Sequence, residues 1–157
     1  MQHSQAFQTH NHNTCINSAI VKAQHLCEQQ NVRFTPIRQR VLELVWANHA
    51  PILAYDILKE LRLEKANAEA PTVYRALEFL LDNGLIHKIE SLNAYMGCNH
   101  PEQAHVSQFL ICTVCQQVAE LDNPKIKQVI EQQALKTGFE ISEQTIEIKG
   151  VCPQCQA

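Results

Sequence analysis

Between His87 and Glu120 the chain reads HKIESLNAYMGCNHPEQAHVSQFLICTVCQQVAE, and this stretch holds most of the side chains able to grip a metal. His87, Cys98, His100 and His105 come first, a Cys-x-x-Cys pair (Cys112, Cys115) follows, and Glu120 adds a carboxylate. A second Cys-x-x-Cys, Cys152 and Cys155, lies beyond a folded segment. Each pair aims two sulfurs at one point, and zinc takes four ligands in a tetrahedron, so the two pairs predict a four-thiolate zinc site. A thioredoxin-like redox pair is disfavoured, because that motif opens a helix after a strand. The remaining His, Cys and Glu side chains predict a second site at the junction of the two halves, with His100 and His105 as rivals for one position.

Two structural units are needed to position these groups, and the spacing supplies them. Residues 1–14 are polar and read as a flexible tail; His3, His10 and His12 within it receive no role. Ile16, Ile20, Ala23 and Cys27 recur at helical spacing and predict a helix from about Asn17 to Gln30, with Cys27 as a small core residue and Cys15 unassigned. Thr35-Pro36 starts a second helix whose buried face is Ile37, Val41, Leu44 and Val45. A third runs from Ala54 to Arg62 with Ile57, Leu58 and Leu61 inward. A fourth begins at Pro71 and stops at Asn83-Gly84, burying Val73, Leu77, Leu80 and Leu81 and turning Arg75 to solvent. LIHKIE, the turn Ser91-Leu92-Asn93 and AYMGC form a hairpin. Helices followed by such a hairpin are the layout of a winged helix-turn-helix.

The second unit opens with a strand, Phe109 to Cys112, and continues to a second at Val118 to Leu121. A helix entered at Asn123-Pro124 follows, with Ile126, Val129 and Ile130 inward, and then strands at Phe139–Ile141 and Thr145–Lys149. The expected fold class is therefore α+β: an N-terminal winged helix-turn-helix domain (15–92), a hinge (93–107) and a small α/β dimerisation domain (108–157) carrying a four-cysteine zinc site.

Composition narrows the function. No run approaches about 18 apolar residues, so no membrane partner or span is expected, and residues 1–14 lack the form of a secretory signal. Seven cysteines in a chain expected to be cytoplasmic argue for metal binding over disulfides. The net charge is −3, with nine Lys/Arg against nine Asp/Glu in residues 1–91 and four against seven in residues 92–157. Contact with DNA would have to come from a local patch and not from bulk charge. Arg75, on the outward face of a helix inside a winged-helix pattern, is the best candidate for a bidentate contact to guanine. Arg33, Arg38 and Lys88 could touch phosphates.

VRFTPIRQRVLELV and APTVYRALEFLLDNGLI resemble the two signatures of the Fur (ferric uptake regulator) superfamily of metal-responsive repressors. The resemblance runs from about Asn17 through nearly all of the chain. AYDIL, PTVYRAL, IHKIES and the order Cys98, His105, Cys112, Cys115, Glu120 are most similar to the zinc uptake regulator branch. The resemblance implies a cytoplasmic homodimer that binds double-stranded operator DNA when zinc is plentiful. It implies a structural zinc at Cys112, Cys115, Cys152 and Cys155, and a regulatory zinc at His87, Cys98, His105 and Glu120, two ions per chain. It also implies that Tyr55 and Arg75 touch bases while Thr72 and Tyr74 meet the DNA backbone. Iron-sensing relatives carry a His-rich segment before the first Cys-x-x-Cys and a further late histidine. Here that segment is HPEQAH, and no histidine follows His105.

Two neutral imidazoles, one thiolate and one carboxylate neutralise Zn²⁺ on paper, which lowers the cost of burying the ion, and the mixed donors suit zinc over magnesium or calcium. The expected function is a zinc-dependent transcriptional repressor of zinc uptake genes, with zinc as corepressor. The alternative is a peroxide- or redox-sensing member of the superfamily, or one sensing iron, manganese or nickel. A zinc enzyme would need an open coordination position and a spare acid or base.

Overall fold

A computed structural model of the chain describes residue 7, residues 11–48 and residues 50–157. His3 and His10 therefore lie outside the described residues, as does most of the expected tail. Helix α1 spans His12–Gln29, so it begins five residues before the sequence expectation and takes in His12 and Thr14. The Asn11 side chain accepts the backbone N–H of Asn13 at 3.0 Å and caps this start. That cap precedes a polar first turn, which hydrophobic periodicity does not register.

Helices α2 (Pro36–Trp46), α3 (Ala54–Glu64) and α4 (Ala70–Asp82) follow the sequence expectation closely. Pro36 and Pro71 sit in the first turn of their helices, where a missing N–H costs nothing. Thr35 takes the N-cap position of α2, but its side chain makes no capping hydrogen bond. Gly84, at φ 67°, ends α4 in the left-handed region that glycine enters without steric cost. The buried face of these helices is Val41, Leu42, Leu44, Val45, Ile57, Leu58, Leu61, Val73, Ala76, Leu77 and Leu80, joined by Ala23 and Cys27 from α1. Cys27 is thus a core residue, and burial pushes its thiol pKa up.

Strands β1 (Ile86–Ile89) and β2 (Ala94–Gly97) form the antiparallel wing, paired from Ile86 with Gly97 to Ile89 with Ala94. A single 3-10 turn at Glu90–Leu92 joins them, and Asn93 at φ 48° reverses the chain. Ile52 adds an antiparallel bridge to Tyr95. Gly97 is fixed as glycine by packing, because a Cβ there would lie 2.1 Å from Cε2 of Trp46 at the end of α2.

The second half holds a three-stranded sheet in the order β4-β3-β5, made of Val118–Leu121, Ser107–Cys112 and Thr145–Gly150. β3 is antiparallel to β4 and parallel to β5, with α5 (Pro124–Lys136) as the crossover. Asn123 caps α5 by accepting the N–H of Lys125 at 3.0 Å. Two expectations fail here. Residues 139–141 form no strand, and the expected inward face of α5 is covered only in part in the single chain: Ile126 and Ile130 are half-buried, no residue of α5 is fully buried, and Val129 is 56% exposed. The periodicity of α5 is correct, but its own chain covers the apolar stripe only in part.

A second apolar cluster ties the halves together: Ile89 of the wing packs with Phe109, Ile111 and Val118 of the sheet, flanked by Leu92 and Met96.

Candidate metal centres and nucleic-acid face

The four-thiolate cluster follows from strand register. β3 ends at Cys112, and parallel pairing sets Cys112 opposite Gly150, the last residue of β5. Each strand then runs into its own Cys-x-x-Cys turn at the same edge of the sheet, so Cys112, Cys115, Cys152 and Cys155 converge with all ligand atoms within 4.8 Å of one another. Cys115 Sγ and Cys152 Sγ are 3.8 Å apart, which is about the tetrahedron edge that Zn–S bonds of about 2.3 Å generate. Backbone N–H groups are aimed at the sulfurs, with Cys152 N donating to Cys112 Sγ at 3.4 Å. Hydrogen bonds from the Cys115 and Cys152 amides bring the Cys112 thiol down to about 6, whereas Cys155, hydrogen-bonded to the Cys152 sulfur beside it, is pushed up to about 12. One thiolate therefore forms readily, and further ionisation beside it requires a cation.

The second cluster draws on both halves. His87 comes from β1, Cys98 follows β2, His105 precedes β3 and Glu120 lies on β4; their ligand atoms also fall within 4.8 Å of one another. His87 Nε2 and His105 Nε2 are 3.3 Å apart, and Cys98 Sγ is 3.6 Å from His105 Nε2. Glu120 Oε1 stands 2.7 Å from His87 Nε2 and 2.5 Å from His105 Nε2. His100 is not in this group; its Nδ1 lies 3.8 Å from the Glu102 carboxylate.

Three of the four donors are oriented from behind, an arrangement that fixes tautomers and raises ligand basicity in metal sites. His105 Nδ1 donates to the Gln103 carbonyl at 2.8 Å, which leaves Nε2 facing the cluster. His87 Nδ1 is 3.3 Å from Ser107 Oγ, and the His87 ring meets Phe109 edge-on. The far oxygen of Glu120, Oε2, accepts the backbone N–H of Asn99 at 3.1 Å and its side-chain amide at 3.2 Å. Asn99, Gln103 and Ser107 carry no signal in the sequence, since they matter only once the fold brings them behind the donors.

Electrostatics prepares the cluster for a cation. Burial alone would raise Glu120, but its hydrogen bond to His87, the His87 charge and the Asn99 amide together bring it to about 2. Burial would lower His105, and the Gln103 carbonyl and Glu120 reverse this to a raised value. Burial and then the Glu120 charge push the Cys98 thiol up to about 12. A cation that takes Cys98 as thiolate must displace its proton, so the site's affinity rises with pH. The expected slope is close to tenfold per pH unit over about pH 6.5–8.5, steeper at the acid end where His105 also gives up a proton. Zinc competition titrations against a chelator across that range measure it, and a pH-independent affinity would remove Cys98 from the ligand set.

The residues expected to meet DNA lie at the start of α3 and in the first turns of α4. Tyr55 opens α3 and is 66% exposed; Tyr74, in the second turn of α4, is 56% exposed. Thr72 is half-buried beside it and Arg75 is exposed, with Nε donating to the Pro71 carbonyl at 3.3 Å. Arg38 instead lies over the Phe79 ring, 3.6 Å from its centroid, and also donates to the Arg33 carbonyl. Lys88 pairs with Glu90 at 3.3 Å.

The chain is similar in sequence and fold to known proteins. The chain is 39% identical over 143 residues to the zinc uptake regulation protein of Escherichia coli (strain K12), covering 90% of this chain and 84% of that protein. It superposes on a zinc uptake regulator complexed with zinc and DNA with a TM-score of 0.85 at 39% identity, covering 90% of this chain and 95% of that one. Against apo XcZur, also at 39% identity and covering 90% and 98% of the two chains, the TM-score is 0.53. The profile of the ferric uptake regulator family matches residues 29–149. With both donor clusters, the wing and the three-stranded sheet all falling within or beside that match, the chain belongs to the ferric uptake regulator family.

Proposed function

We propose that the chain is a zinc-responsive, DNA-binding transcriptional repressor that controls zinc uptake genes and uses zinc as corepressor. The observation that carries this reading is the placement of the second cluster: one donor lies on a wing strand, one directly follows the wing, and the others come from the connection beyond and from the sheet. Cys112, Cys115, Cys152 and Cys155 hold a structural zinc, and His87, Cys98, His105 and Glu120 a regulatory one, giving two ions per chain. Bound there, zinc supplies directed bonds to donors from two separately packed units. The chain's own residues do the rest. Ser107, Gln103 and Asn99 hold the donors in orientation, and the cluster around Ile89 and Phe109 keeps water from the seam. An ion that needs all four donors favours, by its differential affinity, the arrangement in which they converge.

A second copy covers the open stripe of α5, and the chain divides between β2 and β3, inside the expected hinge of residues 93–107, into a DNA-reading unit and a dimerisation unit. In the homodimer, fixing one unit against the other sets the separation of the two α4 helices, which must match half-sites on one face of the duplex. Arg75 and Tyr55 read bases while Thr72 and Tyr74 meet the backbone. The protein works in the cytoplasm, where operator DNA lies; none of the described helices is long and apolar enough to cross a membrane.

Zinc per chain, before and after a mild chelator, tests the two-site reading. A value near two falling to near one is expected, with DNA binding lost and restored by zinc buffering. A constant value near one would leave the four-thiolate site standing and sink the sensor; loss of DNA binding in step with thiol oxidation would favour the peroxide-sensing alternative.

A further inference from the structure

A carboxylate outside both clusters also joins the two halves. Glu147 lies in the middle of β5, and its Oε1 accepts the backbone N–H of Glu90 at 2.7 Å. The N–H of Ser91 lies 3.2 Å from Oε2 and 3.4 Å from Oε1. Glu90 and Ser91 form the tip of the wing, the 3-10 turn between β1 and β2. The first N–H groups of such a turn have no partner within it, and a carboxylate is the strongest neutral-pH acceptor a side chain can offer them. The side chain of Glu90 is occupied elsewhere, by Lys88 Nζ at 3.3 Å. Directly below, Ile89 is fully buried against the sheet. The wing is thus held to the second half at its tip by Glu147, at the adjoining end of β1 by Ile89, and by the cluster that His87 and Cys98 share with His105 and Glu120.

We propose that Glu147 is a metal-independent tie between the wing and the sheet, a positioning residue that sets the free zinc concentration at which the regulatory cluster fills. This rests on the reading of that cluster as the zinc sensor. A site whose donors converge in only a fraction of molecules binds with an affinity reduced by that fraction. Two charge-assisted hydrogen bonds that exist only when wing and sheet are docked raise that fraction before any ion arrives. Glu147 contacts none of the eight cysteine, histidine and carboxylate donors in the two clusters through the hydrogen bonds described, so its removal changes the docking and not the ligand set.

The test compares the full-length protein with Glu147→Ala and Glu147→Gln, the latter keeping one oxygen acceptor and the side-chain volume. Two readouts are taken: zinc affinity of the exchangeable site, by competition with a chelator of known affinity, and amide hydrogen exchange of residues 90–92 in protein retaining only its chelator-resistant zinc. The expected result is about a three- to tenfold weaker exchangeable site in Glu147→Ala, an intermediate value in Glu147→Gln, faster exchange at the wing tip in both, and unchanged chelator-resistant zinc. Unchanged wing-tip exchange, or an exchangeable site within about twofold of the parent in both variants, overturns the proposal. Loss of the chelator-resistant zinc would assign Glu147 to general stability and overturn it as well. If the parent protein itself holds no exchangeable zinc, the sensor reading fails first, and the exchange measurement alone decides whether the tie exists.

Discussion

Cys152→Ser abolishes the four-thiolate cluster and unfolds the second half of the chain while leaving the winged-helix half folded. Cys152 is buried, and its backbone N–H is committed to the Cys112 sulfur. The reason for so large an effect lies in what else holds this region together. α5 buries no residue within its own chain, and β5 is largely exposed along its length. The buried apolar cluster of the sheet reduces to Phe109, Ile111 and Val118, which share Ile89 with the wing. Structural zinc in small domains contributes about 10–16 kcal/mol of apparent binding free energy, against a net stability of about 5–15 kcal/mol for a whole domain. Losing one of four ligands therefore exceeds what the remaining contacts can offset. The expected readout is a fall of one zinc per chain, loss of the sheet signal in circular dichroism and loss of the dimer on gel filtration, with the α2 to α4 core keeping its helical signal. A folded dimer with unchanged zinc content would refute the structural assignment.

Cys98→Ser has the opposite profile: fold, dimer and chelator-resistant zinc stay, and zinc-dependent DNA binding goes. Serine matches cysteine closely in shape, so packing at this buried position survives, but a hydroxyl does not ionise to supply the thiolate. Mutating partners behind a metal ligand typically weakens a site by about 10–100-fold, and removing the ligand itself should exceed that, so the zinc needed for half-maximal DNA binding rises by at least about 100-fold. Because Cys98 shares the cluster with Glu120 on β4, the loss removes one metal-dependent link between wing and sheet and leaves those through Ile89 and Glu147. Zinc-buffered fluorescence anisotropy with a duplex selected by the parent protein measures the shift in zinc dependence. Unchanged zinc dependence in a folded dimer would exclude Cys98 from sensing.

Much of this architecture is written locally. Helices α2 and α4 announce themselves through Thr35-Pro36, Pro71 and Asn83-Gly84, and the wing through its alternation and its turn, because each feature depends on neighbours within a few residues. The two Cys-x-x-Cys pairs are equally legible, since a knuckle is a local object. What sequence could not supply depends on distant partners. His100 and His105 are indistinguishable by spacing, and only the path of the chain after β2 brings His105 and not His100 to Glu120. Asn99, Gln103, Ser107 and Glu147 are ordinary polar residues until the halves dock. Val129 reads as inward in the sequence yet is exposed, because periodicity identifies an apolar face without saying which molecule covers it.

Gly97 and Trp46 have a further use. The indole rests where a glycine Cβ would otherwise be, on the residue immediately before Cys98, and Trp46 is the only tryptophan in the chain. The protein therefore carries its own optical gauge, seated on the strand that leads into Cys98 and needing no attached dye. Any displacement of β2 from α2 changes the indole's surroundings, so the colour and intensity of its emission follow the wing directly, in real time and in the unmodified molecule.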